Sequence, residues 1–226
     1  TLERLRDVLL PKLMSGKVQV ADVPKRVLKK SKQAQPEFKE AVLIAAIVRA
    51  LFTSKIGNVS RQWYQKIAYL HKRKLKELSE QKTVFELTKE YSKKAAGPYK
   101  KEMRYQGSEG ICIRNKYLEA VNNFAFKPSR DIDKIDNYFD KYWNKEIFNN
   151  WTMNNFRFIQ VKKLGVYATI DYSLLELKQE GKELSVGNVL DNISTSKDWQ
   201  HKKELPEFSS QNIEQAIIDL KNLYSY

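Results

Sequence analysis

Apolar positions along this chain recur mostly at helical spacing, and the first such stretch is also the narrowest. Leu2, Leu5, Leu9 and Leu13 follow a 3-4-4 spacing and share one stripe of a helix. Pro11 falls on the opposite face, where it removes a backbone donor and kinks or restarts the helix. Gly16 is a natural stop, since glycine takes a left-handed backbone without a Cβ clash. So narrow a stripe suits a two-helix, coiled-coil-like contact better than burial in a globular core. Barely any helix precedes it and the sequence does not start with Met, so the chain is expected to be a fragment of a longer protein.

Residues 17–36 hold two prolines and many lysines with no sustained period, which predicts a linker with room for a short strand at 17–20. "EFKEAVLIAAIVRALF" is apolar nearly all round and predicts a central buried helix. After a Gly57-Asn58 turn, a helix over about 60–80 places Trp63, Ile67, Leu70, His71, Leu75 and Leu78 on one side. Lys66, Lys72, Arg73 and Lys76 fall on the other. Further helices are expected over 83–94, 109–121 and from Asp131, which would cap a helix with Ile132, Ile135, Phe139 and Tyr142 as its apolar face.

"YWNKEIFNNWTMNNF" reads as an irregular, aromatic-anchored connection. A long helix over 155–179 has Val161, Leu164, Ala168, Tyr172 and Leu175 in register, and a shorter one follows near 186–194. The last helix is capped by Ser209, stapled by Phe208 onto Ile213, and carries the stripe Ile213, Ala216, Ile217, Leu220 and Leu223. The expected fold is a mainly α, multi-helix globular domain with room for a small β element, preceded by the end of a coiled-coil-like helix. Its divisions fall at 1–16, 17–36 and 37–226, with a sub-boundary open near 123–130.

Charge sharpens this picture. The chain has a formal net charge of +14, and residues 1–107 hold 25 Lys+Arg against 10 Asp+Glu, while residues 108–226 hold 16 against 17. The basic excess therefore belongs to the first half, where it favours a polyanion, an acidic protein face or an anionic membrane, or else serves solubility as solvated lysine. The single Cys112 excludes an internal disulfide and points to a reducing compartment. The longest apolar run, Ala41 to Val48, is far short of the roughly 20 residues that cross a bilayer. No signal peptide is visible, so the cytoplasm and no membrane partner are expected.

Candidate chemistry is sparse. His71 and His201 are distant from each other and, with one cysteine, provide no zinc-ligand spacing. Neither a phosphate-cradling glycine loop nor a nucleophile elbow is present. The carboxylates of "DIDKID" at Asp131, Asp133 and Asp136 suit a metal, or simply the first turn of a helix, whose dipole favours acids. No catalytic, cofactor-binding or metal residue is assigned, and enzyme is the weakest reading. The basic-aromatic stretch "RQWYQKIAYLHKRKLK" makes Arg61, Lys66, Lys72, Arg73 and Lys74 candidates for contact with DNA or an acidic partner. Trp63, Tyr64 and Tyr69 are equally explained as helix-packing residues, and the connection around Gly57-Asn58 is longer than that of a helix-turn-helix.

"LRDVLLPKLMSGKV" resembles the C-terminal signature of type I restriction-modification specificity subunits, a leucine helix followed by LLPKL, a small residue and SG. Leu5, Arg6, Asp7, Leu9, Leu10, Pro11, Lys12, Leu13, Ser15 and Gly16 carry the resemblance, over about the first 20 residues. It implies that residues 1–16 end a conserved spacer helix whose leucines, Leu2, Leu5, Leu9 and Leu13, pack on a partner helix. Implied partners are the methyltransferase subunit, the restriction subunit through it, and DNA through target-recognition domains upstream. The extension would then be an accessory domain. Its "WYQKIAYLHKRKL" and "KKAAGPYKKEMRY", with Lys66, Ile67, Tyr69, Leu70, Ala96, Gly97 and Pro98, are similar to Panacea-type antitoxin-like domains, which are interaction modules. Two functions follow as expectations: a non-catalytic part of a specificity subunit with sequence-independent DNA backbone contact, or a regulatory interaction module with no DNA contact.

Overall fold

In a computed structural model, residues 35–54, 57–78, 107–122, 124–197 and 199–226 are described. The leucine stripe Leu2, Leu5, Leu9 and Leu13, residues 17–34 of the expected linker, the helix expected over 83–94 and Ala96, Gly97 and Pro98 lie outside them, while Pro36, expected to end the linker, is helical. Helix α1, Pro36–Thr53, starts on a proline, whose missing N–H matters least in the first helical turn. Its run Ala41 to Val48 is buried without interruption, as is Leu51, so the helix has no solvent face along its middle. The Thr53 and Ser54 hydroxyls donate back to the Arg49 and Ala50 carbonyls at 2.9 and 2.8 Å, satisfying acceptors that a helix end leaves over. Gly57, at φ +85°, then turns the chain into strand β1, Val59–Ser60.

Helix α2, Arg61–Leu78, follows at once. Helix α3, Gly107–Arg114, leads into strands β2, Leu118–Ala120, and β3, Ala125–Pro128. The three strands form an antiparallel sheet in the order β1-β3-β2, with Phe126 paired to both Val59 and Ala120. Phe126 is buried and meets Tyr64 edge-on at 5.9 Å, which fastens the sheet to α2. The helix expected over 109–121 therefore stops early. Lys116 takes φ 58°, Lys116 N–H bonds the Ile113 carbonyl and Tyr117 N–H the Cys112 carbonyl, a Schellman stop with lysine where glycine is usual.

A 3₁₀ turn, Ile132–Ile135, runs into helix α4, Asp136–Tyr142. Asp131 precedes it without capping it; its carboxylate pairs with Lys134 at 3.1 Å instead. The stretch expected to be irregular is helical: a π-helical turn, Ile147–Met153, continues into Asn154–Phe156. Its aromatics are the anchors, with Phe148 against Phe139 at 5.0 Å and Trp151 against Phe156 at 5.4 Å. Helix α5, Val161–Gln179, begins six residues later than its expected start and is buried far beyond the expected stripe. Helices α6, Val186–Thr195, and α7, Ser210–Leu223, are capped by Ser185 and Ser209, which accept from Asn188 and Asn212 N–H groups. Ile213, Ala216, Ile217 and Leu220 are buried with Phe208, as the pattern of the last helix requires.

The result is a mainly α body with one small sheet. Residues Pro36–Tyr226 form one unit, and the position near 123–130 lies on the β2–β3 hairpin inside it. Helix α1 packs on α2, α3, β3 and α4, whereas α5 packs on α2, α6 and α7. Helix α2 is thus shared by both groups. No helix among the described residues is long and apolar enough to cross a membrane.

Ile47 is fully buried in the middle of α1, so Ile47→Ala is expected to destabilise the chain by about 3–4 kcal/mol through lost transfer energy and a cavity. Denaturant unfolding checks this, with Lys162→Ala on an exposed position of α5 changing stability by no more than about 0.5 kcal/mol.

Candidate functional site

The five basic candidates of α2 do not form an open face. Arg61 and Arg73 are buried, and each of the five turns toward a group within the chain. Arg61 donates two hydrogen bonds to the Glu109 carboxylate of α3 at 2.5 and 2.6 Å, with Phe126 beneath its guanidinium at 5.8 Å. The Tyr64 hydroxyl donates to the same carboxylate. Lys72 pairs with Glu40 of α1, and Arg73 pairs with Asp171 of α5 at 3.4 Å. Lys74 pairs with Glu77 at 2.7 Å, donates to the Leu223 carbonyl at 3.2 Å and lies over the Trp151 ring. Lys66 donates to the Val161 carbonyl at 3.2 Å. Helical spacing placed Arg73 on the polar side; it is buried because α2 has neighbours on more than one face. On the apolar side, Ile67, Leu70 and His71 are buried, Trp63 and Leu75 half-buried, and Leu78 exposed.

The densest polar cluster centres on Asp171, which sequence reasoning missed. It is fully buried in α5 and takes hydrogen bonds from the Tyr69 hydroxyl at 2.6 Å and the Tyr226 hydroxyl, besides its pairing with Arg73. The Arg73 guanidinium lies over Tyr224 at 4.8 Å and Tyr226 at 5.4 Å and donates to the Ser225 carbonyl at 3.3 Å. Tyr224 in turn donates to the Leu70 carbonyl at 2.9 Å. Burial pushes the Asp171 carboxyl above its ordinary range, against the opposing pull of Arg73 and the two tyrosine hydroxyls. Burial and the Asp171 charge push the Tyr226 hydroxyl far upward. A signal was present in the sequence: Asp171 is the one charged residue from Gly165 to Leu175. A lone acid in an apolar helical run predicts a buried partner.

The remaining candidates are dispersed over the body. His71 is fully buried, shares a 2.7 Å hydrogen bond between Nδ1 and Thr152 Oγ1, and has Phe148 edge-on at 5.6 Å. Burial, with Lys72 adding to it, pulls its pKa down to about 3, so the ring is neutral at physiological pH. Its Nε2 has no hydrogen-bond partner among the described residues. His201 is exposed. Cys112 is buried and donates to the Ala41 carbonyl at 3.2 Å, and burial pushes its thiol well up, which disfavours the reactive thiolate. Asp133 and Asp136 both face Arg49, at 3.3 and 2.7 Å, and that guanidinium holds the Asp136 carboxyl low. Among the described residues, no group of three or more His, Cys, Asp or Glu is placed to hold a metal ion. A shallow open groove between α4 and the π turn is lined by Asp140, Trp143, Asn144, Lys145, Glu146, Asn149 and Asn150.

Two stability effects follow from these groups. Asp171→Leu strands Arg73 without its buried partner and is expected to cost about 3–5 kcal/mol, most of it recovered when Arg73→Met is added, as a double-mutant unfolding cycle would read. His71 has a folded pKa below its unfolded value, so the unfolded chain binds the extra proton as pH falls. Stability should therefore decline from about pH 6.5 toward pH 3, by an amount on the order of 4 kcal/mol from this group. His71→Gln, which keeps a polar partner for Thr152, is expected to flatten that decline in acid titrations of the unfolding midpoint.

No protein-family model, curated protein or solved structure matches this chain, so a functional reading rests on its own residues and geometry.

Proposed function

We propose that the chain is a non-catalytic part of a type I restriction-modification specificity subunit, and that residues 36–226 are a protein-docking module carried by it. On this reading the methyltransferase subunit is the direct partner and the restriction subunit an indirect one. Contact with the DNA backbone is assigned to the basic stretches 1–34 and 79–106 of the sequence. The family assignment is supported by the LLPKL and Ser-Gly signature at Leu9 to Gly16.

The observation that carries the division of labour is the pairing of α2. Six cations against one acid make it the most basic described helix, yet Arg61, Lys72, Arg73 and Lys74 each meet a carboxylate within the chain. A cation committed to a carboxylate releases no counterion on meeting a phosphate, so α2 adds little to polyanion affinity. Residues 1–34, by contrast, hold nine Lys+Arg against three Asp+Glu, and residues 79–106 hold seven against four. The same pairing favours a second reading, a regulatory interaction module of the antitoxin-like kind that touches no DNA.

Duplex binding by the full chain is expected to be sequence-independent and steeply salt-sensitive. Neutralising Lys25, Arg26, Lys29 and Lys30 together should lower the slope of log Kobs against log salt by about 3 to 4. Lys72→Gln and Lys74→Gln should leave that slope unchanged while lowering stability. If no duplex binds even at low salt, the second reading stands instead. Co-purification with a methyltransferase subunit, with and without residues 17–226, tests docking; unchanged assembly would count against both readings.

A further inference from the structure

Lys66 breaks the rule that governs its neighbours on α2. Arg61, Lys72, Arg73 and Lys74 each have a carboxylate within 4 Å, whereas among the described residues Lys66 has only the neutral Val161 carbonyl, at 3.2 Å. Lys202, in the 3₁₀ turn Gln200–Glu204, is in the same position: half-buried, with the neutral Thr169 hydroxyl as its acceptor at 2.7 Å. It lies over the rings of Trp199 at 5.2 Å and Phe208 at 5.7 Å. A half-buried cation without a counter-charge is unfavourable, so two side by side call for an explanation.

Both ammonium groups rest on one turn of α5. Gly165 makes room for Lys66, because a Cβ at that position would lie 2.9 Å from the Lys66 Nζ. Thr169, which holds Lys202, is four residues further on and donates its own hydroxyl proton to the Gly165 carbonyl at 2.8 Å. The two nitrogens are near enough for the Lys66 charge to act on the Lys202 ammonium. A tetrahedral oxyanion placed between them would accept from both at ordinary N–H···O lengths of about 2.7–3.2 Å. Each ammonium has three N–H donors and, among the described residues, one acceptor, leaving two donors without one on each. The Trp199 indole N–H beside Lys202 is buried and has no acceptor among the described residues.

We propose that Lys66 and Lys202, seated on the Gly165–Thr169 turn of α5, form a binding site for a dianionic phosphate group, free or carried as a monoester. The charges match, two ammonium groups to two negative charges, and the ligand is held by charge-assisted hydrogen bonds without any covalent step. Burial and the Lys66 charge pull the Lys202 ammonium down to about 8, and burial lowers Lys66, with Glu207 opposing it from beyond ion-pair distance. An oxyanion between the two lysines supplies the counter-charge that the fold withholds. The site is independent of the DNA contact proposed above, since it requires a single small anion and no duplex.

Calorimetric titration of the full chain with inorganic phosphate, and separately with 5′-AMP, tests the site against sodium chloride at matched ionic strength. Saturable binding of one phosphate or one AMP per chain is expected, tighter for AMP if the monoester is the natural form. Lys66→Met and Lys202→Met are each expected to weaken it at least tenfold without lowering the melting temperature measured in chloride, because each removes an uncompensated charge. Gly165→Ala keeps both charges but displaces the Lys66 ammonium, and should weaken binding severalfold in a helix that is still folded. Lys178→Met, exposed at the far end of α5, should bind as the parent does. Absence of saturable binding of either anion above the chloride control would overturn the proposal, as would undiminished binding by the Lys66→Met and Lys202→Met variants.

Discussion

The most basic described helix of this protein has neighbours on several sides, and four of its six cations are neutralised where they stand. Consecutive residues of α2 reach opposite groups of helices: Lys72 pairs with Glu40 of α1, and Arg73 with Asp171 of α5. Arg61 adds α3 through Glu109, and Lys74 reaches the end of α7 through the Leu223 carbonyl. A charge removed from water is tolerated only when a partner supplies what the solvent did. The pairs therefore specify which elements may sit against α2, more than they stabilise the body as a whole. Apolar packing is non-directional and supplies the larger share of the driving force; the ionic contacts select one arrangement from it.

Aromatic residues complete that arrangement at the junction between the two groups. Trp151 of the π turn meets Tyr224 at 5.4 Å, and Tyr224 and Tyr226 cover the Arg73 guanidinium on its way to Asp171. The π turn gives these rings their positions. A widened helical turn shifts the side chains that follow it relative to an α register, so that both Phe148 and Trp151 face inward. Charge and ring then share one seam, in which the cation is desolvated by the aromatic faces and held by the carboxylate.

The helices that were legible in the sequence are those whose burial is decided by their own pattern. The uninterrupted apolar run of α1 left only a central position open to it, and the stripe and serine cap of α7 stated both its face and its start. The early stop of α3 was not legible, because its Schellman turn uses Lys116 where a glycine would have announced it. The cluster around Asp171 was partly legible, as a lone acid in an apolar run, but its partners Tyr69 and Tyr226 lie 102 and 55 residues away in sequence. The cations of α2 are legible in the sequence as a group, but the burial of Arg73 is not, because helical spacing puts it on the polar side.

By itself, the sequence determined that the body is mainly helical, which helices are buried on one face, and where the basic residues are concentrated. These follow from local periodicity and composition, which act over a few residues. Only the tertiary structure decided that Arg61, Lys72, Arg73 and Lys74 point at carboxylates while Lys66 and Lys202 do not. Helical spacing states which residues share a face. It does not state what stands opposite that face, and for a charged side chain the group opposite decides whether it is a structural tie or a site still open to a ligand.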